Sequence, residues 1–238
     1  MKITKNGTVF QLSFMPRIFP VNCYIVEEES ELTLIDAALP YSAKSIIKAA
    51  ESIGKPITRI IITHAHSDHI GALDTLKELL PDCQVCISSR DALLLEGNSA
   101  LLPNEKNTPI RGGIPKNIKT KPDLLLEEGE CVGSLEVIAT PGHTPGSITL
   151  FDTRNRSLIA GDALVTRGKL LVSGVMNPLF PFPALATWDK STALISAKKL
   201  RELNPSLLAV GHGKMLKQPQ ELLDIAIAEA EKNFRQSK

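Results

Sequence analysis

The chain has 238 residues, 43% of them hydrophobic, and a formal net charge of +1, so it carries enough apolar material for a sizeable buried core. The near-neutral balance speaks against a nucleic-acid partner or a membrane-surface protein, and no run reaches the roughly 18 apolar residues of a bilayer span. Residues Met1 to Gly7 lack the apolar stretch of a signal peptide, and the four cysteines, at 23, 83, 86 and 131, are too few for a disulfide scaffold, so a cytoplasmic protein is expected.

Thr8–Phe14 reads as a strand, followed by Asn22–Val26 and Leu32–Asp36, two β-branched runs that form a hairpin around the acidic residues 27–31. Apolar residues at 46, 47, 50 and 53, with Gly54 and Pro56 just beyond, predict a helix from Ser42 to Ile53 with its stop signals. The apolar run Ile57–Ile62 reads as a buried strand, and a helix carrying Leu73, Leu76, Leu79 and Leu80 on one face follows, ending at Pro81. A strand near Cys83–Ser88 precedes a short helix from Ser89 to Glu96. Cys83 and Cys86 lie three apart in that strand and face opposite sides of the sheet, which makes them ordinary strand residues rather than a metal or redox pair.

Periodicity fails between Gly97 and Pro122, a long loop with five Lys and Arg against the single acid Glu105; loops of this length often act as lids or binding segments. Three short strands follow at Leu135–Ala139, Ser147–Phe151 and Ser157–Ala160. An irregular, proline-rich apolar segment from Gly174 to Pro183 leads into a helix from Trp188 to Leu203, a buried strand at Leu207–Val210 and a last amphipathic helix from Pro219 to about Phe234. No low-complexity linker separates the halves, so residues 1–238 read as one domain of two similar α/β halves.

The chemistry concentrates in Thr63-His64-Ala65-His66-Ser67-Asp68-His69, at the turn between strand 57–62 and the next helix, which holds three of the chain's five histidines. In extended backbone His64 and His66 point the same way, while Asp68 and His69 sit at the helix mouth. Imidazole nitrogens with a carboxylate suit zinc, manganese or iron. The two other histidines, His143 in Pro-Gly-His-Thr-Pro-Gly and His212 in Gly-His-Gly, also follow strands and are flanked by glycines that let backbone approach a crowded centre. Asp162 follows its own strand in the same way. Four strand ends thus deliver ligands, where α/β sheets commonly place their sites. Seven ligands exceed a tetrahedral structural site and suit two ions sharing a carboxylate.

With His64-Ala65-His66-Ser67-Asp68-His69 as an H-x-H-x-D-H signature, and His143, Asp162 and His212 as later motifs, the chain resembles the metallo-β-lactamase superfamily from about Asn22 to Gly213. The resemblance implies an α/β fold, a four-layer αββα sandwich of two mixed β-sheets with helices outside. It implies His64, His66 and His143 on one ion, Asp68, His69 and His212 on the other, and Asp162 bridging them. The family's first motif falls at Asp36, which would orient a ligand histidine; the usual Asp-Thr-Gly reads Asp36-Ala37-Ala38 here.

The implied activity is hydrolysis of an ester, thioester, lactone or similar bond of a small molecule. Hydroxide generated between two divalent ions, zinc before manganese or iron, would attack, and Asp68 would help to move protons. Among the branches, the cysteine-ligand lactamases are disfavoured by Asp162, and glyoxalase II by the 25 residues that follow Gly213. Quorum-signal lactonases are disfavoured by Val165 where they carry a tyrosine. The alternative is a persulfide dioxygenase-like oxidoreductase with a single iron on His64, His143 and Asp162. The 174–183 segment is expected to wall a hydrophobic pocket or to form a homodimer contact, and Arg167 or the basic loop to hold any anionic group.

Overall fold

A computed structural model describes residues 1–178 and 180–235; Leu179 of the apolar segment, like residues 236–238, lies outside the described residues. A seven-stranded sheet runs in sequence order through β1 (Lys2–Asn6), β2 (Val9–Phe14), β3 (Val21–Glu27), β4 (Leu32–Ile35), β5 (Ile57–Ile62), β6 (Gln84–Ser88) and β7 (Leu124–Leu126). β1 to β4 are antiparallel, as hairpin connections require, and β4 to β7 are parallel, joined through helices α1 (Ala43–Ile53), α2 (Ser67–Ile70), α3 (Leu73–Leu79) and α4 (Ser89–Leu95). The second sheet contains β8 (Cys131–Val132), β9 (Leu135–Ala139), β10 (Ile148–Asp152), β11 (Ser157–Ile159), β14 (Leu207–Ala209) and β15 (Leu216–Lys217). Its β11–β14 pair is parallel, closed by α6 (Lys190–Glu202) between the two strands, and α7 (Gln220–Arg235) covers the sheet with α6. A separate hairpin, β12 (Leu164–Val165) with β13 (Leu171–Val172), leads to the one-turn α5 (Phe182–Ala186).

Side-chain alternation along the strands builds the layers. In β5, Ile60 and Ile62 face the helices α1 to α4, while Ile61 faces the other sheet. In β14, Leu208 faces α6 and α7, while Leu207 and Ala209 join Ile61 between the sheets. The result is the expected αββα sandwich. Cys83 and Cys86 also part as expected, one on the helix side and one between the sheets.

Several elements depart from the sequence reading. β1 is a polar edge strand whose lysines carry no apolar alternation; such residues protect a sheet edge from further pairing. α5 forms inside the proline-rich segment because Pro183 falls in its first turn, where a missing N–H costs no helical hydrogen bond. Leu79 is 53% exposed, since at 3.6 residues per turn it lies roughly 90° off the stripe of Leu73, Leu76 and Leu80.

Ile61→Ala, which empties a site between the sheets, is expected to lower unfolding free energy by about 2–5 kcal/mol, whereas Leu79→Ala should stay within about 0.5 kcal/mol of the parent. Chemical denaturation of the two variants measures both; similar losses would mean that the face assignment of α3 is wrong.

Candidate metal centre

Each histidine of the cluster has its outer ring nitrogen tied to the surrounding fold. His69 Nδ1 lies 2.7 Å from Asp36 Oδ2, and His212 Nδ1 lies 2.6 Å from the Pro20 carbonyl. His66 Nε2 is 2.8 Å from the Arg111 carbonyl, His143 Nδ1 is 3.3 Å from Thr187 Oγ1, and His64 Nδ1 is 3.1 Å from Thr63 Oγ1. A carbonyl or carboxylate partner takes the proton of that outer nitrogen, so that in the neutral ring it is the inner nitrogen of His66, His69 and His212 that carries the lone pair. These partners are what a metal-ligating imidazole ordinarily has behind it.

The inner atoms converge in two groups. His64, His66 and His143 form one, Asp68, His69 and His212 the other, and a third set of His64, His69 and Asp162 overlaps both, with ligand atoms of each set within 4.8 Å of one another. Asp162 lies between the groups, Oδ1 at 3.4 Å from His69 Nε2 and Oδ2 at 3.4 Å from His143 Nε2 and 3.1 Å from His212 Nε2. His64 Nε2, His69 Nε2 and Asp162 Oδ1 are buried without a hydrogen-bond partner. Each such atom costs about 1–3 kcal/mol, and three of them facing one point fit a bound cation. All seven residues singled out from the sequence are brought together, and Asp36 stands behind His69.

The two groups differ in charge. Burial pushes the His64, His66 and His143 imidazoliums down, His143 to about 3, so these rings are neutral. At His69 burial acts the same way, but Asp162 and Asp36 outweigh it and raise the group well above the usual range. At His212 burial is outweighed by Asp162 and Asp68, raising it to about 10. Burial opposes the charge of Asp162 and Asp68 as well, yet His212 and His69 hold both carboxylates as anions.

Backbone approach is tight where the sites meet. A Cβ on Gly211 would sit 2.1 Å from Asp162 Oδ1 and 2.6 Å from His69 Cε1, so glycine is required before His212. Gly112, at φ +97°, would place a Cβ 2.3 Å from His66 Nε2.

The description of the metallo-beta-lactamase superfamily matches residues 16–212. The chain belongs to this superfamily. Among its relatives, Bacillus subtilis YobT is 56% identical over 232 residues, 98% of this chain and 100% of that one. The probable metallo-hydrolase YflN of Bacillus subtilis is 35% identical over 212 residues, 81% of this chain and 80% of that one. The mitochondrial persulfide dioxygenase ETHE1 of Homo sapiens is 30% identical over 158 residues, 63% of this chain and 51% of that one. Among solved structures, TTHA1623 in a di-iron-bound form superposes with a TM-score of 0.64 at 27% identity, covering 89% of this chain and 96% of that one. The superfamily's metal-binding cluster and αββα fold are therefore both present. Among the described residues no helix is long and apolar enough to cross a membrane.

Within this superfamily fold, one carboxylate escaped the sequence reading. Asp91 is fully buried and accepts from the Ala65 N–H at 2.9 Å, Thr144 Oγ1 at 2.7 Å and the Gly146 N–H at 2.8 Å. It thereby ties the His64/His66 turn to the His143 turn. Burial raises its pKa against those hydrogen bonds. Ser88-Ser89-Arg90-Asp91 reads as a helix capping box, and Ser88 does cap the Asp91 N–H, but the carboxylate reaches across to the ligand turns instead of back to Ser88. Asn22 and Tyr24 hold the His212 turn, through the Val210 and Gly213 carbonyls. Arg167, expected near the site, lines a separate cleft and donates to the Arg17 carbonyl.

Asp91→Ala leaves three donors unpaired and should cost about 3 kcal/mol of stability and about 10–100-fold in metal affinity; denaturation and competition with a chromophoric chelator measure these separately, and unchanged affinity would reduce Asp91 to a core residue. Because ligating imidazoles must be neutral, loading the Asp68, His69 and His212 group displaces protons. Zinc addition to metal-free protein in weak buffer at neutral pH should acidify the solution, and metal content after dialysis should be lower below neutral pH than above it.

Proposed function

We propose that this protein is a metal-dependent hydrolase that cleaves an ester, thioester, lactone or similar bond of a small molecule. The supporting observation is the double convergence of inner ligand atoms with Asp162 between them. His64, His66 and His143 would hold one divalent ion, and Asp68, His69 and His212 the other, zinc being the first candidate. Such a pair supplies a water of lowered pKa and polarises the carbonyl or phosphoryl oxygen under attack.

The chain's own residues do the rest. Asp36, Pro20, Arg111, Thr187 and Thr63 keep the five rings in place, so the site needs little reorganisation during reaction. Asp68 is the most exposed of the ligands, its side chain 29% accessible, and it borders the adjoining cavity. Its Oδ2 lies 3.3 Å from His212 Nε2. As an anion it is suited to accept a proton from the attacking water and return it to the departing alcohol or thiol. The balance is that of hydrolysis: one bond to the acyl carbon forms from water, one breaks, and the leaving group takes the proton.

A second reading, a mononuclear iron persulfide dioxygenase using His64, His143 and Asp162, is favoured by the similarity to ETHE1. It leaves Asp68, His69 and His212 without a task, although all three converge and His69 and His212 each have an outer partner in place. That completeness favours the two-ion reading.

Elemental analysis of metal-loaded protein is expected to give two ions per chain, and fewer than one would refute the site. Asp162→Ala and His66→Ala should reduce hydrolysis of a lactone, thioester or phosphodiester panel to background while circular dichroism stays native. Oxygen consumption with a persulfide, and no turnover of the panel, would replace the hydrolase by the dioxygenase.

A further inference from the structure

We infer that the substrate is neutral at the end that enters the site and docks through an apolar group, an aliphatic or aromatic acyl chain, held on a wall of Phe19, Phe182, Pro183, Leu185 and Ala186. The inference rests on the hydrolase reading for the bond that is cut. The cavity over the metal centre measures about 400 Å³, within the range of small-molecule sites. Its polar lining is His66, Asp68, His143, Asp162 and His212, all on the metal floor. Gly112 and Gly113 complete the lining and contribute backbone only. Among the described residues no lysine or arginine lines it. Arg17 and Arg167 line another cleft, together with Pro16 and Pro20 from the segment that carries Phe19, and Arg111 meets the site through its carbonyl on His66. An anionic tail lying on the wall, away from the metal floor, would lose hydration without meeting a lysine or arginine among the described lining residues.

The wall is built rather than incidental. Three of the chain's seven phenylalanines gather here, with ring centroids of Phe19, Phe180 and Phe182 5.0–5.7 Å apart. Phe182 and Leu185, three residues apart on α5, share one helix face and are 55% and 56% exposed. Ile18, the chain neighbour of Phe19, is 78% exposed. Exposed apolar side chains clustered at a cavity mark a binding surface.

The same wall is held in register with the ligands. Pro20, next to Phe19, accepts from His212. At the other end, Thr187 closes α5, bonding the Pro183 carbonyl at 2.7 Å and approaching His143 Nδ1, while the Trp188 N–H donates to the His143 carbonyl at 3.0 Å. An acyl chain lying on this wall therefore starts at a fixed distance from the reacting floor.

The test uses metal-loaded protein and two series of graded alkyl length. Linear alkyl hydroxamic acids report binding by calorimetry without turnover, and p-nitrophenyl acyl esters report hydrolysis. Affinity and kcat/KM are both expected to rise about fourfold per methylene over the first several carbons, and to fall when the chain ends in a carboxylate. In Phe182→Ala and Leu185→Ser the slope should flatten; both side chains are more than half exposed, so the fold should survive. A flat slope in the parent protein, or tighter binding of the carboxylate-ended probe, overturns the apolar assignment. A hydroxamate slope without ester cleavage upholds the apolar assignment and removes the hydrolase reading instead.

Discussion

The structure depends on the fixing of five imidazole rings from outside. A histidine can present either nitrogen, and a metal site needs the same one from each ring every time the chain folds. Here the choice is made by Asp36 for His69, by the Pro20 carbonyl for His212 and by the Arg111 carbonyl for His66. Because each partner accepts a hydrogen bond, a proton is held on the outer nitrogen and the inner nitrogen is left facing the centre. That leaves buried atoms unsatisfied, as at His64 Nε2, His69 Nε2 and Asp162 Oδ1, a cost the fold tolerates because an ion can recover it.

Sheet topology determines why the rings can meet. Each sheet contains a parallel pair, β4–β5 in one and β11–β14 in the other, and parallel strands put their C-terminal ends on the same edge. Asp36, the His64–His69 turn, Asp162 and His212 each follow one of these four strands. The two sheets are then stitched at that edge by main-chain bonds, Ile148 N–H to the Thr63 carbonyl and Asn22 N–H to the Gly211 carbonyl, both at 2.9 Å. The interlocked Ile61, Leu207 and Ala209 layer beneath keeps the edges from sliding, and ligands from distant parts of the chain meet because packing leaves them no alternative register.

Much of this was legible beforehand. The apolar runs at 57–62 and 207–210 and the ligand residues behind them mark strand ends directly, since residue type and spacing carry the information. What was not legible depends on main-chain atoms or on contacts far along the chain. Pro20 and Arg111 serve through their carbonyls, which any residue would supply, so their side chains give no sign. Asp91 satisfies a local capping pattern and therefore reads as helix punctuation, while its carboxylate joins two turns 77 residues apart at His66 and His143. α5 hides in a proline-rich segment because proline is compatible with a first helical turn, and β1 hides because edge strands need no apolar face.

The same distinction separates the chemistry from its selectivity. The ligands follow strands buried within the sandwich and are constrained by ring orientation, burial and charge together; a change in any one disturbs the others. The cavity wall comes instead from two connecting segments, 15–20 and 180–187, attached to the site by a few hydrogen bonds to His212 and His143 and by the Phe19 and Phe180 rings against His212. Side chains on α5 that face the cavity, Phe182 and Leu185, touch little of the core, so they can change without loss of the ligand geometry. The fold thus separates a fixed centre from a replaceable wall, tied together through Thr187 and Pro20, and the proposed acyl site would put substrate choice in the wall, at a set distance from the same ligand atoms.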